Sequence, residues 1–108
     1  MPYYETKNRD KKTISPGIEA RTFWGENMLV AVVELDAGAV LPSHQHPHEQ
    51  ISYILEGELE FDLDGETQSV KAEDIVIIPG NMAHTVKVGA APAKVLDIFS
   101  PCREDLKY

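Results

Sequence analysis

The sequence predicts an all-β, single-domain fold, a β-barrel of short strands. Three observations carry this. From Ile18 onward, β-branched and aromatic runs are separated by turn residues, the spacing of a sandwich or barrel. Glu58 to Leu63 alternates polar and apolar strictly and runs into Asp64-Gly65, a dipeptide suited to a type I′ hairpin turn. No segment makes a convincing helix.

Taken in order, residues 1–17 read as an N-terminal arm, 18–100 as the barrel and 101–108 as a C-terminal tail. Ile18 to Trp24 and Met28 to Leu35 are strand candidates joined through Gly25-Glu26-Asn27, and Asp36-Ala37-Gly38 ends the second run; a hairpin is expected. Asp74 to Ile78 is apolar after its first residue and is broken by Pro79-Gly80-Asn81. Thr85 to Val88 and Ala93 to Phe99 follow as further strands. Neither repeats nor low-complexity segments occur. Met28 to Leu35 and Val95 to Phe99 carry apolar residues at both parities, so both faces are expected to be covered, either by a homodimer partner or by the opposite sheet of the barrel.

A chain of 108 residues supports one core, so any chemistry must sit inside one fold. Its 43% hydrophobic and 26% charged residues fit a water-soluble globular protein. The net charge of -8 repels phosphate backbones and anionic bilayers, so neither nucleic acid nor membrane is expected as a partner. A small anionic substrate remains open, because a bound cation and one arginine reverse the potential locally. The single cysteine, Cys102, excludes an internal disulfide and reads as a bystander thiol. The N-terminal MPYYETKNRDKK has no apolar run behind it, which is unlike a signal peptide, and a cytoplasmic protein is expected.

Histidine is concentrated in His44-Gln45-His46-Pro47-His48-Glu49-Gln50. On an extended strand, residues two apart point the same way about 6.6 Å from each other, so His44 and His46 can reach one ion with bonds of about 2.1 Å. His84 follows a buried strand and a tight turn and could close the site from across a barrel. His48, Glu49 and Gln50 are candidates for a further ligand. With a neutral donor set, the expected cofactor is one divalent transition metal, Fe, Mn, Co, Ni, Cu or Zn, rather than Mg or Ca.

The segment from Gly38 to Gly57 resembles the first cupin motif, in which a glycine precedes His-x-His, a glutamate and a second glycine at fixed spacings. Gly38, His44, His46 and Gly57 fall in register, with Gln50 at the glutamate position. The resemblance thereby selects Gln50 as the fourth ligand and leaves His48 at the rim. Pro79 and His84 match the second motif, with Asn81 where glycine is usual and Val88 where an asparagine is expected. Asparagine tolerates the left-handed conformation such a turn requires. An amide oxygen brings no negative charge, which leaves a more electrophilic ion than glutamate would.

Asp97 interrupts an apolar strand, and an unpaired buried carboxylate is costly. Strand parity sets Asp97 and Phe99 on one face, and Arg103 could fold back over the barrel mouth. The plain alternative is an Asp97–Arg103 salt bridge that ties down the tail. His-x-His-Pro-His-Glu-Gln together with Asp-x-Phe-Ser-Pro-x-Arg-Glu-Asp resembles the small cupins of the pectin degradation protein family. That resemblance, from about Gly38 to Asp105, implies a jelly-roll β-barrel and an isomerase converting 4,5-unsaturated monouronates from pectin or alginate into linear keto sugars.

Under that reading a Lewis-acidic metal stabilises the enolate oxygen, Arg103 grips the substrate carboxylate, Asp97 relays the proton and Phe99 packs against the sugar. Arg21, Gln45, His48 and Tyr53 are further candidates for the pocket wall. Two competing readings use the same histidines. A metal-dependent dioxygenase would consume oxygen and be indifferent to loss of Asp97, and a non-catalytic sugar-binding cupin would bind without turnover.

Overall fold

The computed structural model describes residues 2–108. Among these, ten strands build two sheets: β1 (Lys12–Ser15), β2 (Ile18–Trp24), β3 (Leu29–Leu35), β4 (Val40–His44), β5 (Glu49–Glu56), β6 (Glu58–Leu63), β7 (Glu66–Lys71), β8 (Ile75–Ile78), β9 (His84–Val88) and β10 (Ala93–Ser100). One sheet has the order β1-β2-β3-β10-β5-β8 and the other β4-β9-β6-β7. All pairings are antiparallel. The only helical turns among the described residues are short 3-10 segments at Thr6–Asn8 and Glu104–Leu106.

The expected hairpins form, with one adjustment. Trp24 faces Leu29 across β2 and β3, and the Gly25 N–H donates to the Met28 carbonyl at 2.9 Å. Met28 therefore belongs to the turn, where its side chain is exposed. Asp64 and Gly65 both take positive φ, 50° and 90°, as a type I′ turn demands. β1 arises within the segment read as an arm, pairing with β2 through a bulge between Thr13 and Ser15.

Alternation sorts the strands into two faces. Leu29, Ala31, Val33 and Leu35 of β3 and Ala93, Val95 and Phe99 of β10 point inward and are buried, joined by Ile54, Leu59, Phe61, Ile78 and Val86 from the other strands. The opposite parity, Val30, Val32, Leu96 and Ile98, lies half-buried on the outer side, so the second sheet covers only one face of these runs. The outer residues form cross-strand rows, Val30–Ile98–Ile51–Ile77 and Val32–Leu96–Tyr53–Ile75.

Gly57 marks the corner between the sheets. It sits at φ 87°, and a Cβ there would lie 2.7 Å from the Pro92 carbonyl oxygen, so only glycine fits. Ile54, wholly excluded from solvent, lies at the centre of the apolar core. Ile54→Ala should lower unfolding free energy by about 2–5 kcal/mol, read as a drop in the urea midpoint at unchanged slope.

Candidate active site

The three expected histidines converge. The imidazole nitrogens of His44, His46 and His84 lie within 4.8 Å of one another, although His44 and His46 do not share a strand as expected. β4 ends at His44, and His46 belongs to the loop leading to Pro47. What holds that loop is the second turn. The Asn81 N–H donates to the His46 carbonyl at 2.7 Å, with Asn81 at φ 66°. A Cβ on Gly80 would collide with the Pro47 carbonyl oxygen. His84 opens β9 directly opposite His44. One turn thus sets two ligands at once.

Tautomers favour a cation. His44, His46 and His84 each bring Nδ1 within 2.9–3.0 Å of a backbone carbonyl, those of Pro42, His48 and Met82. A carbonyl only accepts, so each Nδ1 carries the proton and each Nε2 keeps a lone pair. His84 Nε2 is buried with no partner, a costly state for the lone protein. His46 Nε2 also lies 3.1 Å from Gln50 Oε1; with the proton on Nδ1, both are acceptors. A metal ion held by the three histidines would satisfy their lone pairs, and imidazoles joined by an amide oxygen would suit the transition metals named above. Burial pushes His84 down to about 4, and burial followed by the charge of Arg103 lowers His46. Both are neutral at neutral pH, as ligation requires.

Gln50, second residue of β5, points inward and is buried, whereas Glu49 is exposed. Neither His48 nor Glu49 joins the convergent group. A cavity of about 150 Å³ opens beside the histidines, lined among others by Gln50, Ser52, Asp97, Phe99 and Arg103. Gln50 faces Phe99, and Ser52 faces Asp97, in register across β5 and β10.

Asp97 accepts a hydrogen bond from Ser52 Oγ at 2.6 Å. Burial raises its carboxyl to about 6, partly opposed by the Ser52 and Gln50 hydrogen bonds and the Arg103 charge. The alternative of an Asp97–Arg103 salt bridge does not hold, because Arg103 pairs with Asp105 instead, Nη2 to Oδ2 at 2.7 Å and Nε to Oδ1 at 3.3 Å. Although burial opposes it, the Arg103 hydrogen bond and charge keep the Asp105 carboxyl below its usual range. The Arg103 guanidinium lies 5.0 Å from the Phe99 ring centroid, and the Phe99 and His46 rings meet edge to face with centroids 5.7 Å apart.

The four further pocket candidates are corrected. Tyr53 is on the outer face by strand parity, opposite Leu96 and Ile75. Arg21 is outward too, bonded to the Arg9 carbonyl and to Glu34. Gln45 is exposed, and His48, half-buried, is not among the cavity-lining residues. Ser52 was missed, though its signal was present: it breaks the inward row Gln50-Ser52-Ile54 of β5 as Asp97 breaks that of β10. Cys102 is buried, its thiol donating to the Gly25 carbonyl at 3.3 Å.

The family model described as a cupin domain matches residues 31–99. The chain belongs to the cupin family. Among relatives of this cupin, the pectin degradation protein KdgF of Dickeya dadantii is 30% identical over 83 residues, 76% of each chain. The structure of KdgF from Halomonas sp. superposes with a TM-score of 0.91 at 28% identity, covering 99% of both chains. Dimethylsulfoniopropionate lyase DddQ of Ruegeria pomeroyi is 33% identical over 82 residues, but the cupin spans only 41% of that protein. No described helix is long and apolar enough to cross a membrane.

Because Gly80 leaves no room for a side chain against Pro47, Gly80→Ala should displace the His46 loop. Affinity for Co(II) or Zn(II) should fall about tenfold or more, measured by titration calorimetry, with most of the fold's stability retained.

Proposed function

We propose that this cupin is a metal-dependent isomerase that opens the ring of 4,5-unsaturated monouronates, such as those cleaved from pectin or alginate, and yields linear keto sugars. The observation that carries this reading is the raised carboxyl of Asp97 in one cavity with an arginine and a convergent set of metal-ligating lone pairs. The likeness to KdgF over three quarters of both chains supports it.

His44, His46, His84 and Gln50 would hold the metal, which when bound supplies a Lewis acid for an oxygen on which negative charge develops. The remaining chemistry belongs to this chain's side chains. Arg103 binds the substrate carboxylate in bidentate fashion, with Phe99 beneath its guanidinium fixing the approach. Asp105 holds that guanidinium through Nε and one hydrogen of Nη2, leaving the outer edge of Nη1 and Nη2 for the carboxylate. Asp97 Oδ takes the proton of the C1 hydroxyl as the bond between C1 and the ring oxygen breaks. That gives an aldehyde at C1 and an enolate at C5. The same carboxyl returns the proton to C4, leaving the ketone. No atom is gained or lost, and no oxidant is needed. A carboxyl near 6 suits both halves, being ionised at neutral pH and still acidic enough to give the proton back.

The test follows the enol-ether absorbance of an unsaturated monouronate under anaerobic conditions. Wild type should consume it, and both EDTA treatment and Asp97→Ala should stop it, the latter by about a hundred- to ten-thousand-fold. Since Asp97 must start as the carboxylate, kcat should climb with rising pH through about 6 and level off above. Spontaneous rates in metal-loaded wild type would overturn the assignment.

We also propose a homodimer through the outer face of the six-stranded sheet. Its two apolar rows include Ile75 and Ile77, 60% and 59% exposed. They are bordered by Glu34, Lys94 and Glu56 in adjacent strands, a border of mixed sign that a two-fold axis can set against itself. Sedimentation equilibrium should give twice the chain mass for wild type and a monomer for Ile77→Lys.

A further inference from the structure

We propose that Ser52 is a positioning residue that couples the metal ligand Gln50 to the proton carrier Asp97 through its single hydroxyl. The inference rests on the ligand and proton-carrier roles given above and adds a residue to them. Ser52 sits on β5 between Gln50 and Ile54, inward-facing and fully excluded from solvent. Its strand neighbour across β10 is Asp97.

A hydroxyl has one proton to give and lone pairs to receive. A carboxylate can only accept, so the Ser52 proton goes to Asp97 Oδ1, at 2.6 Å, the short distance of a charge-assisted bond. Ser52 can then only accept from Gln50, and it does so from Nε2 at 3.0 Å. With its amide nitrogen committed, Gln50 must turn Oε1 the other way, where it stands 3.1 Å from His46 Nε2. The carboxylate of Asp97 thus dictates, through one oxygen, which end of the Gln50 amide faces the histidines.

Removing that oxygen has two consequences. The Gln50 amide nitrogen loses its Ser52 acceptor and is left with Asp97 alone, so a flip that aims N–H groups at the ion becomes easier. Asp97 loses the donor that fixes its Oδ1. Ligand orientation and proton transfer should therefore fail together, while Arg103 and Phe99, which take no part in the chain of bonds, continue to hold substrate.

The experiment compares wild type, Ser52→Ala and Ser52→Thr, using Co(II) as the probe and its visible absorption as a readout independent of turnover. Ser52→Ala should bind Co(II) about tenfold or more weakly with an altered spectrum, and lower kcat by about 10–100-fold with KM within twofold. Ser52→Thr, which restores the hydroxyl, should recover both. Wild-type Co(II) affinity and spectrum in Ser52→Ala would overturn the proposal. So would equal losses in Ser52→Ala and Ser52→Thr that track a common fall in melting temperature, since those report packing alone. Should wild type fail to turn over any uronate, the isomerase reading falls while the Co(II) comparison still decides the role of Ser52.

Discussion

The register between β5 and β10 is the constraint on which the rest of the site depends. It sets Gln50 against Phe99 and Ser52 against Asp97 on the inner face, four residues of the cavity wall in a two-by-two array. A slip of one residue in β10 would send Asp97 and Phe99 to the outer surface and bring Leu96 and Ile98 inside, and a slip in β5 would do the same to Gln50 and Ser52 in exchange for Ile51 and Tyr53. The inward apolar residues flanking the array, Ile54 on β5 and Val95 on β10, are buried and resist that slip. The polar array is held by its apolar neighbours in the same rows.

The second requirement is that Arg103 reach the cavity, although it lies beyond the last strand. The tail that carries it is clasped by the N-terminal arm and by β2. Lys12 donates to the Asp105 carbonyl at 2.7 Å, Arg9 to the Tyr108 carbonyl at 3.2 Å and Thr22 Oγ1 to the Leu106 carbonyl at 2.7 Å. The Tyr108 hydroxyl meets the Asp10 carbonyl. Leu106, nearly buried, plugs into the core. The Arg9 guanidinium lies 4.9 Å from the Phe23 ring centroid and 5.5 Å from that of Tyr108. The arm thus acts on the site through the tail, and its Ile14 also lines the cavity.

Strong periodicity made part of this readable from sequence. β2, β3, β6, β8, β9 and β10 announce themselves by β-branched content or strict alternation. β1 and β7 do not, because they are edge strands with little to bury, and β7 contributes only Val70 to the core. β4 carries Pro42 inside it, which an edge strand tolerates because one side needs no ladder bond. The histidine set was visible because its spacing is a chemical signature. The Asn81 to His46 bond was not, since it joins backbone atoms of residues far apart in sequence. Arg21 and Tyr53 were misplaced because their facing follows from register, which residue type does not reveal.

The site is also held against the fold's own preference. Asp97, raised from 3.8 to about 6, binds its proton more tightly folded than unfolded. Its stabilising contribution is present at low pH and lost as pH rises from 3.8 to about 6, leaving the ionised group at neutral pH costing on the order of 3 kcal/mol. His84 works in the opposite direction. Lowered from 6.5 to about 4, it costs stability as pH falls through that interval, because the unfolded chain takes a proton that the folded one refuses. The two slopes oppose each other between about pH 4 and 6, and His46, also lowered, acts in the same direction as His84. Above that window the carboxylate's penalty remains, while the orphaned lone pair of His84 adds its own. Both penalties belong to residues that a bound cation and an anionic substrate would use, and a barrel selected for stability alone would have an apolar side chain at each position.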